Sequence, residues 1–111
     1  VEWVSGDAAA LFTATSLCNV TSGAGLMAVG VGIDSTSVNS ATLMGGWKGL
    51  ATTTRPHAEA NYRGYPGLGY HYAAWLEIYA NNAGAGTWYG DADDATFTIC
   101  TQSGIRAEIM G

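Results

Sequence analysis

The sequence predicts an all-β domain, and three observations carry that expectation. Apolar residues hardly ever recur at the helical spacing of three and four. Period-two alternation recurs instead, the mark of strands whose successive side chains face opposite ways. The alternating runs are separated by "TSGAG", "GIDSTS", "RGYPGLG", "NNAGAG", "GDADD" and "TQSG", all rich in residues that tolerate turn geometry. Many short strands at this spacing favour an antiparallel β-sandwich, jelly-roll-like, in a single domain over residues 1–111. A chain of 111 residues suffices for one core and not two.

Taken in order, the alternation predicts strands over residues 9–17, 26–33, 38–43, 44–50, 58–62, 70–79, 87–89, 95–101 and 105–110. The second contains "AVGVGI", which places Ala28, Gly30 and Gly32 on one face and Val29, Val31 and Ile33 on the other. Glycine weakens a strand unless something approaches its backbone closely, so the small face calls for a near neighbour, either an opposing sheet or another subunit. Cys18 and Cys100 sit in alternating runs near opposite ends of the chain. A disulfide closing that loop would stabilise by up to ~4.5 kcal/mol on the loop-entropy argument, and two buried free thiols fit the pattern equally well.

Composition excludes several function classes. Charged residues are 12% of the chain, against a usual ~25%, so small neutral groups or a partner must cover the surface, a first pointer to an oligomer. Nine acids and four bases give a net charge of -5 with no basic run, which argues against nucleic acid as a partner. No apolar run approaches the ~20 residues of a membrane-spanning helix, so no membrane insertion is expected. The chain begins at Val1 without Met and without a charged start or apolar leader, which reads as the C-terminal fragment of a longer chain.

The richest chemistry lies in "RPHAEANYRGYPGLGYHYAAWLEIY", which holds both histidines and five of the six tyrosines. In an extended "HAEANYR", His57, Glu59, Asn61 and Arg63 share one wholly polar face. In "YHYAAWLEIYA", His71, Trp75, Glu77 and Tyr79 share a face. If the two strands paired, these groups would form one patch. His57 and His71 with Glu59 or Glu77 would then offer a general base or a zinc site, the chemistry of a small hydrolase. The spacing matches no catalytic or metal motif, no G-x-S-x-G elbow is present, and no finger-like ligand spacing surrounds either cysteine, so neither catalysis nor a cofactor is expected. Asp91, Asp93 and Asp94 in "GDADD" lack the EF-hand pattern and read first as a soluble turn, with an ion as the alternative.

Aromatic rings with polar tips suit interfaces and stacking on sugars, and the tyrosines crowd the Gly/Pro loop "RGYPGLG", the expected recognition tip. The candidate ligand-contacting set is therefore His57, Arg63, Tyr65, Tyr70, His71 and Trp88. A secreted, monomeric carbohydrate-binding module would use the same resources.

"YPGLGYHYAAWLEIY", "GTWYGD" and "SGIRAEIMG", spaced as a long strand, a hairpin and a terminal strand, resemble the C-terminal domains of trimeric phage fibre, head-fibre and tail-spike proteins. A more distant resemblance is to the jelly roll of the C1q and tumour necrosis factor group. The resemblance covers roughly the last 50 residues. It implies a homotrimer at the tip of a fibre on the virion surface, binding a host cell-surface receptor, often a glycan. It carries over no catalytic residue.

Overall fold

The computed structural model describes residues 1–22, 25–48, 56–80, 86–90 and 103–111. These residues form eight strands and no helix: β1 (Glu2–Ser5), β2 (Leu11–Ser22), β3 (Leu26–Ile33), β4 (Leu43–Lys48), β5 (His57–Gly64), β6 (Gly69–Ala80), β7 (Gly86–Tyr89) and β8 (Gly104–Met110). All pairings are antiparallel, in the order β1-β6-β3-β4-β5-β2-β7, with β8 also on β2. The stretch β6-β3-β4-β5 is a Greek key, in which the meander β3-β4-β5 is closed by β6 returning beside β3.

The sheet curls at β4. Leu43 to Gly45 pair with β5, whereas Gly46 to Lys48 pair with the start of β3. Two adjacent glycines sit where the partner changes. A β-carbon on Gly46 would lie 2.7 Å from the Met27 carbonyl oxygen, so only glycine lets the two backbones approach this closely.

The curl brings β2 opposite β3, and the alternation decides what lies between them. Phe12, Ala14, Ser16, Cys18 and Val20 of β2 face Met27, Val29 and Val31 of β3, joined by Ala58 and Ala60 of β5 and Ala73 of β6. The many small residues allow the two halves to come close enough for Ser16 Oγ to donate to the Gly30 carbonyl at 3.1 Å. Trp3 lies flat on Phe12, ring centres 3.8 Å apart and planes within 10°, which ties β1 to β2 across the core.

Several strand expectations correspond closely to the structure. Residues 26–33 are β3, and 58–62, 70–79, 87–89 and 105–110 fall inside β5, β6, β7 and β8. The 44–50 run overlaps β4. The 9–17 strand starts two residues later, at Leu11, and continues to Ser22, because Asn19 to Ser22 acquire β7 as a partner. β1 was too short for its alternation to register. The 95–101 strand, Arg55, Cys100, Asp91, Asp93 and Asp94 lie outside the described residues.

The 38–43 strand is a correction: only Leu43 belongs to one. Ser35 Oγ accepts from the amides of Ser37 and Val38 at 3.2 and 2.9 Å, and Asn39 Oδ1 accepts from Val31 and Ala41 at 3.1 Å each. Local side chains thus compete with the sheet for these amides and hold the segment as a loop. That loop covers the small face of β3. A β-carbon at Gly32 would overlap the Ser35 carbonyl oxygen, and one at Gly30 would lie 2.6 Å from Asn39 Oδ1. The near neighbour demanded by "AVGVGI" on this face therefore comes from the chain's own loop.

Candidate ligand-binding site

β5 and β6 do not pair, because β3 and β4 stand between them in the sheet. The composite patch of both histidines and both glutamates therefore does not form. His57 lies exposed on β5, while His71 lies buried on β6 opposite Trp3 of β1. Among the described residues, no group of three or more His, Cys, Asp or Glu side chains could hold a metal ion.

The wholly polar face of β5 is real and points outward: His57, Glu59 and Arg63 are exposed and Asn61 half-buried. Its groups are held in a fixed array. Thr15 Oγ1 donates to Asn61 Oδ1 at 2.6 Å, and Asn61 Nδ2 donates to Glu59 Oε1 at 3.0 Å. This relay fixes the amide and one carboxylate oxygen while leaving Glu59 open to solvent.

Beside the relay stands Trp47, 45% exposed. Its indole Nε1–H donates to the His57 carbonyl at 2.7 Å, so the ring is pinned by its edge to β5. Leu43, Met44, Trp47, His57, Glu59 and Asn61 line a shallow groove of about 390 Å³ where β4 meets β5. The groove combines an aromatic platform with an orientated amide and carboxylate. Among the described residues its lining holds no Ser, Thr or Cys, and it offers acceptors, donors and a stacking surface.

The other expected contact residues go elsewhere. Arg63 is on the same outer face as Glu59, its amide bonded to Thr42 Oγ1 at 3.1 Å. Tyr70 is exposed directly across from Val4 of β1, and Tyr65 and Leu68 are exposed on the loop between β5 and β6. A hydrogen bond with Glu2 pushes the Tyr70 phenol up from its ordinary value. Trp88 packs on the core, donating Nε1–H to the Ala28 carbonyl at 3.2 Å and meeting Tyr79 edge-on. Cys18 is a free, fully buried thiol, its Sγ 3.2 Å from the carbonyls of Asn19 and Tyr89, and burial pushes its pKa up.

His71 has a different task. Its Nδ1 lies 2.8 Å from Asp34 Oδ2, while Asp34 Oδ1 accepts from the Tyr72 amide at 3.0 Å. Asp34 opens the loop over β3 with a φ of 53°, the left-handed region that Asp and Asn tolerate best. The residue is 7% exposed, its ring tilted against Trp3, and among the described residues its Nε2 has no hydrogen-bond partner.

The hydrogen bond to Asp34 raises the His71 pKa against the opposing effect of burial, with the backbone of Gly67 and Leu68 adding to the rise. Burial pushes the Asp34 carboxyl up, but the bonds from His71 and from the Tyr72 amide outweigh it and the net shift is downward. A raised histidine stabilises fully below its unfolded pKa of ~6.5 and ceases to do so as pH climbs through its folded value. A lowered aspartate stabilises fully above ~3.9 and ceases to do so as pH falls through its folded value. Stability should therefore decline as pH rises from about 6.5, and Asp34→Asn, which keeps the turn, should flatten that decline. Urea midpoints measured across pH check this, and parallel profiles for wild type and variant would contradict it.

The groove escaped the sequence reading because the strand predicted over 44–50 carries Trp47 without indicating which strand lies beside it. The pairing of β4 with β5 brings it beside Glu59 and Asn61. No family model, curated protein or solved structure matches the chain.

Proposed function

We propose that this domain is a non-catalytic recognition module that binds a cell-surface glycan in the groove between β4 and β5. The observation that carries this reading is the exposed, edge-pinned Trp47 beside the Thr15–Asn61–Glu59 relay. Sugar rings present apolar C–H faces and peripheral hydroxyls. An indole platform receives the first, and a carboxylate and amide fixed in advance receive the second at low ordering cost. The groove is shallow and open, which suits recognition of one part of a larger molecule.

The fibre-tip setting, a jelly-roll-like sandwich assembled as a homotrimer on a virion surface, is part of the same proposal. It is supported by the sequence resemblance and by apolar surface that a lone chain leaves in water. Val4 is 76% exposed and lies opposite Tyr70, with Leu68 and Tyr65 exposed on the adjoining loop. An exposed cluster of this kind marks an association surface more often than an isolated side chain does. In this reading the β1–β6 end makes the subunit contact and the β4–β5 groove meets the receptor.

A glycan array probed with the purified domain tests recognition, and light scattering tests assembly. Binding to a discrete set of glycans by a particle of three chain masses is expected. A blank array would refute the recognition role. A monomer that binds glycans would instead identify a solitary carbohydrate-binding module, the reading favoured by the groove's being complete within one chain.

A further inference from the structure

The groove does not end at β5. On the same outer face, register carries Asn61 to Thr15 of β2 and Thr15 to Arg106 of β8, and likewise Arg63 to Thr13 and Thr13 to Glu108. Thr13, Thr15, Arg106 and Glu108 line a depression of their own, about 160 Å³. Thr15 therefore links the two places, lining the depression while its hydroxyl orients Asn61 of the groove. The Arg106 guanidinium is bonded to Glu108 and remains largely in solvent, so it is aligned without being used up.

Charge narrows the ligand. The chain carries a net charge of -5, yet this face sets Glu59 and Glu108 against Arg63 and Arg106. A balanced face offers no field to a polyanion, such as a sulfated glycan or a nucleic acid. It offers alternating donors and acceptors to a neutral polyhydroxyl chain. From β4 to β8 there are three strand spacings, or about 14 Å at ~4.8 Å each, more than a single sugar ring spans.

We propose that the site is an extended one in which a neutral, linear oligosaccharide lies across the strands, one unit on Trp47 and later units over Thr15 and Arg106. This rests on the recognition role assigned to the groove and adds its ligand class, its direction and a second subsite. Arg106 is the residue that distinguishes long ligands from short ones.

The experiment titrates wild type, Trp47→Ala and Arg106→Ala with cello-, malto- and chito-oligosaccharides from monosaccharide to hexasaccharide. For a bound series, wild-type affinity should rise at least about tenfold with length, the equivalent of one or two added hydrogen bonds. Arg106→Ala should abolish that rise while leaving the shortest bound sugar unaffected. Trp47→Ala should weaken every length. Affinity independent of length, or a rise that survives Arg106→Ala, would overturn the extended site while a Trp47-dependent interaction upheld the groove. Failure of all three series to bind wild type, or binding indifferent to Trp47→Ala, would overturn both.

Discussion

Phe12→Ala is expected to destabilise the domain by about 3–5 kcal/mol, a large part of the roughly 5–15 kcal/mol that holds a domain folded. Phe12 is 1% exposed and belongs to the buried core. Its ring is covered by Trp3 on one side and approached by Tyr62 at 6.2 Å, so three strands lose contact when it is removed. Gly64, directly across from it, and Ala14, two positions along the same face of β2, are too small to fill the space. Urea unfolding measures the effect, and a loss below about 1 kcal/mol would mean that the site collapses without penalty. Such a result would contradict a core organised around the Trp3–Phe12 stack.

Trp47→Ala is expected to weaken glycan binding by roughly 30-fold or more, the effect of removing an aromatic anchor worth about 2 kcal/mol. Its effect on stability should be no more than about 1 kcal/mol, the ordinary value of the single hydrogen bond it makes to the His57 carbonyl. The ring lies outside the core cluster, so little packing is lost. Titration with a glycan selected on the array, alongside urea unfolding of the same variant, separates the two effects. Equal binding by variant and wild type would remove the groove from the account. Lost binding together with an unfolded variant would show that Trp47 is structural.

The two variants divide the molecule along its alternation. Inward positions of β2 and β3 hold the fold, and outward positions of β4, β5, β2 and β8 present chemistry to solvent. The parity of "HAEANYR" was enough to place His57, Glu59, Asn61 and Arg63 on one face, and the structure keeps them there. The parity of "AVGVGI" was enough to show that one face of β3 must be closely covered. Parity says which face a residue takes and nothing about which strand lies alongside.

Partner choice is where the sequence was silent. His57 and His71 stand fourteen positions apart around a single Gly/Pro loop, which suggests neighbours, yet β6 returns beside β3 and β5 lies beside β2. The Greek key is set by long-range pairing that no local pattern encodes. The same pairing turns His71 inward, where Asp34 fixes it as a structural clasp between β6 and the loop over β3. The loop looks strand-like by its alternation, but Ser35 and Asn39 satisfy the backbone from side chains within the segment. Trp47 is legible as one of four tryptophans and as part of a strand over 44–50, but its place beside Glu59 depends on the long-range pairing of β4 with β5.

The recognition groove is tested most directly by following the tryptophan indole N–H signals of the nitrogen-15-labelled domain as a glycan from the array is added. The chain has four tryptophans, and the Trp47 and Trp88 indoles donate to different carbonyls, those of His57 and Ala28, so their signals report on different places. The Trp47 indole and the amides of Glu59 and Asn61 should shift while the indoles of Trp3, Trp75 and Trp88 stay in place. An unmoved Trp47 signal, with shifts confined to Tyr65 and Tyr70, would place recognition on the Gly/Pro loop and contradict the groove.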